Sequence, residues 1–458
     1  MSGSAPCSTP AFPRSPRRRH DPRLAVDFVT FVLLNAVLYI RPMDFVPGLV
    51  GLPLYNIAFC ICFLCNLPTL LSPGVFRSIV AHPVSICMIG VLATAILSNV
   101  LQGQLDVAVD TADWFFKLLL YYILIVCVVR TPVRMKWVLA SLIIDGCIVA
   151  GLGVADYKGL VKIPNLIMVE EFQYDADGEP LPFRRLAGTG VFGDPNDLSL
   201  MLVGCVIYTL YLLGDRSGSP TRRAIWLLPL PLLFEALRLT YSRGGAISLI
   251  IGLGVYALLR FGWRRSLPLA LLALPLVLRG GGRQVDFDVQ GGTGQARIAL
   301  WDIYMEMFLA NPVLGVGASQ GMNHTYQVAH NSYINVFAER GFFGGMAFLS
   351  AVLLAAWAMV RLAPAEGRRP HEELVRQRRF LLASIISYAI GIMTLTRADV
   401  IPTYTVLGLA VAFERMAAAG SARGPLRLDP KLIGLLVAAN VGFLVTMYFF
   451  IKRTVSYH

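Results

Sequence analysis

Apolar residues gather along this chain in runs of about 17–22, the length a helix needs to cross a bilayer core of roughly 30 Å. Thirteen such runs can be drawn, at 24–40, 49–71, 83–100, 108–129, 137–155, 196–213, 224–240, 244–261, 266–278, 342–360, 380–396, 401–413 and 432–451, with 266–278 and 401–413 short. Composition agrees: 56% of the residues are hydrophobic, 15% are charged, and mean hydropathy is +0.63. A soluble domain would carry roughly 25% charged residues. The expected fold class is therefore all-α, a polytopic membrane protein of about 12–13 transmembrane helices.

Charge sets the orientation. The net charge of +12 could suggest nucleic acid, but its distribution argues for a membrane partner instead. With a cytoplasmic N-terminus and alternating sides, 25 of the 40 Lys and Arg residues fall on the inner connections and 14 on the much longer outer ones. Basic excess inside is the normal bias of multi-pass proteins. Residues 1–23, which include "RSPRRRHDPR", are expected to form a disordered basic cytoplasmic tail. No small-residue cleavage site follows Leu24–Ile40, so the first span reads as uncleaved.

Membrane helices are expected over 24–278, interrupted by an outer loop at 156–194 that bears the acidic patch "EEFQYDADGE". A larger outer loop occupies 279–341, and further membrane helices fill 342–458. Connections this long are usually functional. Chemistry is therefore expected on the outer face. P-loop, HExxH, strand-linked GxGxxG and DxD signatures are all missing, and the eight cysteines form no paired-ligand pattern. Neither cofactor nor metal is expected.

In the larger loop, Ile298, Trp301, Met305 and Phe308 fall on one arc of a helix, with Asp302 and Glu306 beside it. This predicts an amphipathic helix in the membrane interface, closed by Asn311-Pro312 and carrying Arg297 at its flank. Further on, "VAHNSYINVFAERGFFGG" places His330, Ile334, Phe337 and Gly341 at helical spacing, which puts His330 on a helix face. A lone histidine there also fits a core or cap role. Near its ordinary pKa, however, an imidazole can accept a proton from a sugar hydroxyl.

Arg184, Arg185, Arg243, Arg297 and Arg397 all fall near one membrane depth on the outer side. Guanidinium forks suit phosphate oxygens and stay charged when partly desolvated. A diphosphate on a lipid would fit such a ring, although each arginine alone also fits an interfacial anchor. Arg397 and Asp399 could pair with each other, and Asp194-Pro195 reads as a cap opening a helix. Within the spans, Lys117, Asp145 and Glu235 are ionisable, with Glu235 and Arg238 spaced to neutralise each other.

"HNSYINVFAERGFFG" (His330–Gly344), "RIALW…NPVLGVG" (Arg297–Gly317), "FGDPNDL" (Phe192–Leu198) and "TYSRGGA" (Thr240–Ala246) together resemble the bacterial O-antigen ligase/polymerase family, over roughly Arg184–Gly345. That resemblance implies a GT-C-like helical fold in the bacterial inner membrane, with short amphipathic helices on a large periplasmic loop and the active site facing the periplasm. It implies an inverting glycosyltransferase that needs no metal and takes a glycan from undecaprenyl diphosphate. The acceptor would be lipid A–core for a ligase, or the next lipid-linked repeat for a polymerase. By the resemblance His330 is the general base, Arg243 and Arg297 complete the catalytic set, and Arg184, Arg185, Asn331 and Arg397 bind substrate. Family ligases carry twelve spans, so Leu432–Ile451 looks like an addition. A lipid-linked glycan flippase or transporter is the reading from a different class, and the scarcity of midplane charges and the heavy outer loop count against it.

Overall fold

Helix starts in this chain are written by a repeated device: a capping side chain followed by proline. His82, Thr131, Asp194 and Asp429 each accept a backbone N–H of the first turn, and Pro83, Pro132, Pro195 and Pro430 follow them. Proline suits that position because its missing N–H would be unpaired there anyway. The structure is a computed structural model that describes residues 25–174, 180–215, 218–268, 292–362, 372–418, 421 and 424–455. The tail 1–23, residues 175–179 of the acidic patch, most of the run 266–278 and the start of the loop 279–341 lie outside the described residues.

The helices are α1 (Val26–Ile40), α2 (Leu54–Leu70), α3 (Pro73–Val80), α4 (Pro83–Leu101), α5 (Leu105–Val128), α6 (Pro132–Tyr157), α7 (Pro195–Leu213), α8 (Pro220–Ala224), α9 (Pro229–Leu239), α10 (Arg243–Phe261), α11 (Gly292–Ala310), α12 (Gly321–Thr325), α13 (Ser332–Arg361), α14 (Glu372–Gly391), α15 (Ile401–Ala418) and α16 (Pro430–Thr454). Among the described residues, eight helices are long and apolar enough to cross a membrane, or up to nine if α2 and α3, bent by 108°, form one broken span. The protein is an all-α, multi-pass membrane protein.

Thirteen apolar runs thus resolve into fewer simple spans, and the reasons are local. The run 224–240 begins with a 3-10 turn at Ile225–Leu227, and Pro229 then opens the short α9. α14 opens with Glu372 and Glu373, and α15 carries Glu414 and Arg415. α15 can hold such groups because neighbours cover it; Thr403, Tyr404, Thr405, Leu409, Phe413 and Glu414 are all buried. Inside this core Tyr39 and Tyr121 share the Thr405 hydroxyl at 2.8 and 3.0 Å, and Tyr121 donates to Asn35 at 2.6 Å. Interhelical hydrogen bonds of this kind join helices where lipid offers no hydrophobic drive.

α4 packs on α13, α10 on α14, and α5 on α15, while α7 sits centrally against α6, α9, α10 and α14. The N-termini of α7, α10 and α13 all emerge at one end of the bundle, called here the site end. The two long connections meet there. The first holds an antiparallel hairpin, β1 (Val169–Tyr174) and β2 (Pro180–Arg185), in which Glu170 faces Arg184 and Val169 faces Arg185. Period-two patterning too short to register as an apolar run produced these strands, which the hydropathy reading did not foresee. The second holds α11, which ends before Asn311-Pro312 as its sequence predicts, then α12 and the opening turns of α13. Ile298, Met305 and Phe308 of α11 are buried, as its apolar arc requires.

Candidate functional site

Two glycine-bearing segments build the scaffold of the site by gripping each other through their backbones. Gly341 breaks α13, with φ +63° and ψ −166°. A Cβ there would lie 2.3 Å from the Val313 carbonyl. Gly315 (φ +74°) approaches the Glu339–Arg340 peptide just as closely. Phe342 donates to the Pro312 carbonyl at 2.7 Å, Val316 to Ala338 at 3.0 Å, and Gly317 to Glu339 at 3.0 Å. Side chains cannot fit between these strands of backbone, so "NPVLGVG" and "ERGFFGG" need their glycines for close approach. The buried Glu339 carboxylate then accepts from Ser319 and Gly321 at 3.0 and 3.1 Å and fixes the start of α12. Arg340, wholly buried, pairs with Asp399 and stacks 4.6 Å from the Phe115 ring.

His330 hangs between this scaffold and α13, and its geometry corrects the sequence reading. It is not on a helix face. Its backbone is left-handed (φ +50°), one residue before the cap Asn331, whose Oδ1 accepts from Tyr333 and Ile334. For a non-glycine residue that conformation costs about 1–2 kcal/mol and persists only where surroundings enforce it. Three ties do so. Trp301 of α11 donates to the Ala329 carbonyl at 2.8 Å, Ser332 donates to the Leu395 carbonyl at 2.6 Å, and the Arg397 amide donates to Ser332 at 2.8 Å. Meanwhile the imidazole is half-buried and makes no hydrogen bond or ion pair among the described residues. Its pKa is pushed below the ordinary 6.5 by burial first and by the Arg297 charge next; Asp194 opposes, and Arg397 adds to the lowering. At neutral pH such a group is an unprotonated, unengaged base.

The arginines divide into two kinds. Arg297 has no hydrogen-bond or ion-pair partner among the described residues. Burial lowers its pKa most, then Arg185; Asp194 and Glu171 act against this, and Arg243 adds a further lowering. Arg185 is fully engaged, with Glu171 at 2.5 Å, Asn196 at 3.0 Å and the Thr240 carbonyl at 2.9 Å. Arg397 grips both oxygens of Asp197, which holds its pKa above the usual value although burial works against it. It does not pair with Asp399, as its spacing suggested, because Arg340 occupies that carboxylate. Arg243 opens α10 directly after the cap Ser242, whose hydroxyl accepts from Gly245 at 3.1 Å and donates to Asn196 at 2.8 Å.

His330, Arg297, Arg243, Arg185 and Arg397 thus lie within one electrostatic neighbourhood, centred on Arg297 and Asp194. Arg184 stays outside it. Strand alternation turns Arg184 to the other face of the hairpin, exposed and 3.7 Å from Glu170. Asn331 is buried in its capping role. Positive helix ends at α7, α10 and α13 add partial charge of the sign that binds anions. Together these groups suit a phosphate-bearing ligand beside a base.

Several supporting residues escaped the sequence reading. Glu171 was legible in outline, since an acidic patch precedes "RR" across a turn and hairpin pairing would match them. Asn196 and Asp197 lie in the first turn that Asp194-Pro195 announces. Trp301 and Ser332 gave no polar signal of their own; only the fold makes them ties.

No curated protein matches the chain. The family model described as O-Antigen ligase matches residues 228–349, the stretch that holds Arg243, Arg297, the glycine clasp and His330. Over that stretch the chain is similar to the O-antigen ligase-like family of membrane glycosyltransferase-like proteins.

Proposed function

We propose that the protein transfers a glycan from a polyprenyl diphosphate, undecaprenyl diphosphate in a bacterial inner membrane, to a sugar hydroxyl of lipid A–core at the periplasmic face. The observation that carries this reading is the juxtaposition of an unengaged, low-pKa imidazole with an unengaged guanidinium at His330 and Arg297. His330 takes the proton of the acceptor hydroxyl as its oxygen attacks the anomeric carbon. The bond from that carbon to the diphosphate oxygen breaks, and the lipid diphosphate leaves with the electron pair. Attack from the face opposite the leaving group inverts the anomeric centre.

Arg297 and Arg243, supported by the α10 N-terminus, bind the diphosphate and take up the charge that grows on it. Arg185 and Arg397 act differently in this scheme. Their forks are filled by carboxylates, so they set the local field and hold the walls, and Asn331 orients the chain beside the base. Arg184, on the far face of the hairpin, is left for contact with the glycan. GT-C-like architecture is part of the same proposal.

Purified protein in proteoliposomes, offered a polyprenyl-diphosphate glycan and lipid A–core, tests it. A ladder on the core, lost in His330→Ala, supports ligase transfer. Chain growth on the donor lipid instead identifies a polymerase of the same family. Movement of intact donor across the bilayer without new glycosidic bonds overturns both and favours a flippase.

A further inference from the structure

α16 is the most exposed of the long apolar helices, with Leu435 and Phe449 both 60% or more exposed, yet it is fastened to the bundle at chosen points. The fastenings lie on α11, which carries the candidate phosphate ligand, and on α13, which follows the candidate base. Toward its middle, the buried Asn440 donates to Ser350 of α13 at 3.1 Å. One turn on, Phe443 packs against Tyr333 and Phe337 of α13, at centroid distances of 5.7 and 6.2 Å. These rings follow His330 by only a few residues. At the site end, Lys452 lies 2.7 Å from Asp302 and 3.2 Å from Glu306 of α11. Gln295 of α11 donates to the Thr454 carbonyl at 3.0 Å. Asp302 is almost wholly buried. A buried carboxylate needs a charged mate, and a flexible ammonium at a helix C-terminus meets that need favourably.

We infer that α16 is a working part of the site and that Lys452 is a positioning residue for Arg297. The steps are short. Arg297 lies two residues from Gln295 and one helical turn from Trp301, on a helix whose acidic edge Lys452 pins. The guanidinium has no hydrogen bond or ion pair to hold it among the described residues, so the pose of α11 decides where it points. Trp301, on the same helix, holds the carbonyl preceding His330. Releasing the Lys452 clamp therefore lets both groups drift together. A binding site held a fraction of an ångström out of place loses affinity well before it loses its fold. The C-terminal helix thus becomes a brace rather than an appendage.

This inference rests on the reading that Arg297 binds a diphosphate, and its test separates the two. Lys452→Met is compared with Lys452→Arg, Asp302→Asn and the double variant Lys452→Met/Asp302→Asn, each also made in an Arg297→Ala background. Three quantities are followed: glycan transfer in proteoliposomes, binding of geranylgeranyl diphosphate by the purified protein, and amide hydrogen exchange over 292–310 and 327–331. Lys452→Met is expected to raise KM about tenfold with little change in kcat, and to weaken the diphosphate probe by a similar factor. It is also expected to speed exchange in both segments. Lys452→Arg restores most of each, and the double variant is no worse than the poorer single. With Arg297→Ala in place, Lys452→Met costs nothing further in binding. Unchanged exchange and unchanged probe affinity in Lys452→Met overturn the inference, as does an undiminished effect in the Arg297→Ala background. If transfer is absent even in the unmutated protein while exchange and probe binding respond as stated, the brace stands and the transfer chemistry falls.

Discussion

The two ends of the helix bundle match most of their charges alike and differ in what each leaves unmatched. Away from the site, Asp27 accepts from Arg134 at 2.9 and 3.1 Å and from Arg130 at 2.9 Å. Asp215 there pairs with Lys136 and Arg376, and Arg376 also meets Glu373 at 2.6 Å. At the site end, most charges are equally well matched, as at Arg185–Glu171, Arg397–Asp197 and Arg340–Asp399. Arg297 and His330 depart from that matching, part-buried and with no hydrogen-bond or ion-pair partner among the described residues, as Arg379 does at the far end. Partly desolvating a cation and a base without partners is costly, and proteins tolerate such groups chiefly where a ligand completes them. What sets the site apart is that its unmatched cation stands beside an unmatched base.

Breaking the unengaged pair should hurt most. His330→Ala is expected to reduce transfer by about 10³-fold, the range of a lost general base, with membrane insertion and melting behaviour unchanged. Product formation near the normal rate would remove His330 from the chemistry. The clasp comes next. Gly341→Ala forces a Cβ into the Val313 carbonyl at a positive φ and should cost about 3 kcal/mol, read as a lower unfolding temperature in detergent. Arg297→Lys keeps the charge but not the two-pronged geometry, and roughly 10–50-fold should be lost from kcat/KM.

A fourth test concerns pH. Because His330 acts unprotonated and its pKa sits below 6.5, kcat/KM should rise with pH along a limb centred below that value. Removing a neighbouring cation stabilises the imidazolium, so in Arg297→Gln that limb should move to higher pH. A limb that stays put would mean the two side chains do not sense each other. The smallest effect is expected at the matched end. Arg134→Lys should shift stability by no more than about 1 kcal/mol and leave transfer unchanged, since Arg130 still serves Asp27.

How far the sequence foretells all this depends on whether the feature is local. Asp194-Pro195 and the Asn311-Pro312 stop are local, and α7 begins and α11 ends where they predict. α11 shows its apolar arc, and four of the five arginines, Arg185, Arg243, Arg297 and Arg397, gather while Arg184 does not. Non-local facts were hidden. Nothing in "HNSYINVFAERG" announces that its glycine breaks the helix; that follows from the approach of Val313, a contact made across the loop. His330 therefore leaves the helix face that its spacing suggested. Carboxylate ownership was hidden for the same reason, since Arg397 finds Asp197 two hundred residues away and Asp399 goes to Arg340. α14 and α15 were legible as helices but not as interior ones, because burial by neighbours is a property of the assembled bundle.

The clasp has a consequence for how such proteins diversify. The stretch 318–328 is held at its start by Glu339 and at its end by Tyr304 and Trp301, whose side chains bond Gln327 and Ala329. Between those fastenings Met322 and Tyr326 are 50% and 88% exposed. Ala318, Gln320 and Gly321 of that stretch are buried, so its freedom to vary lies in the outward side chains alone. Those can change while the ties that give the residue beyond them its bearing stay as they are.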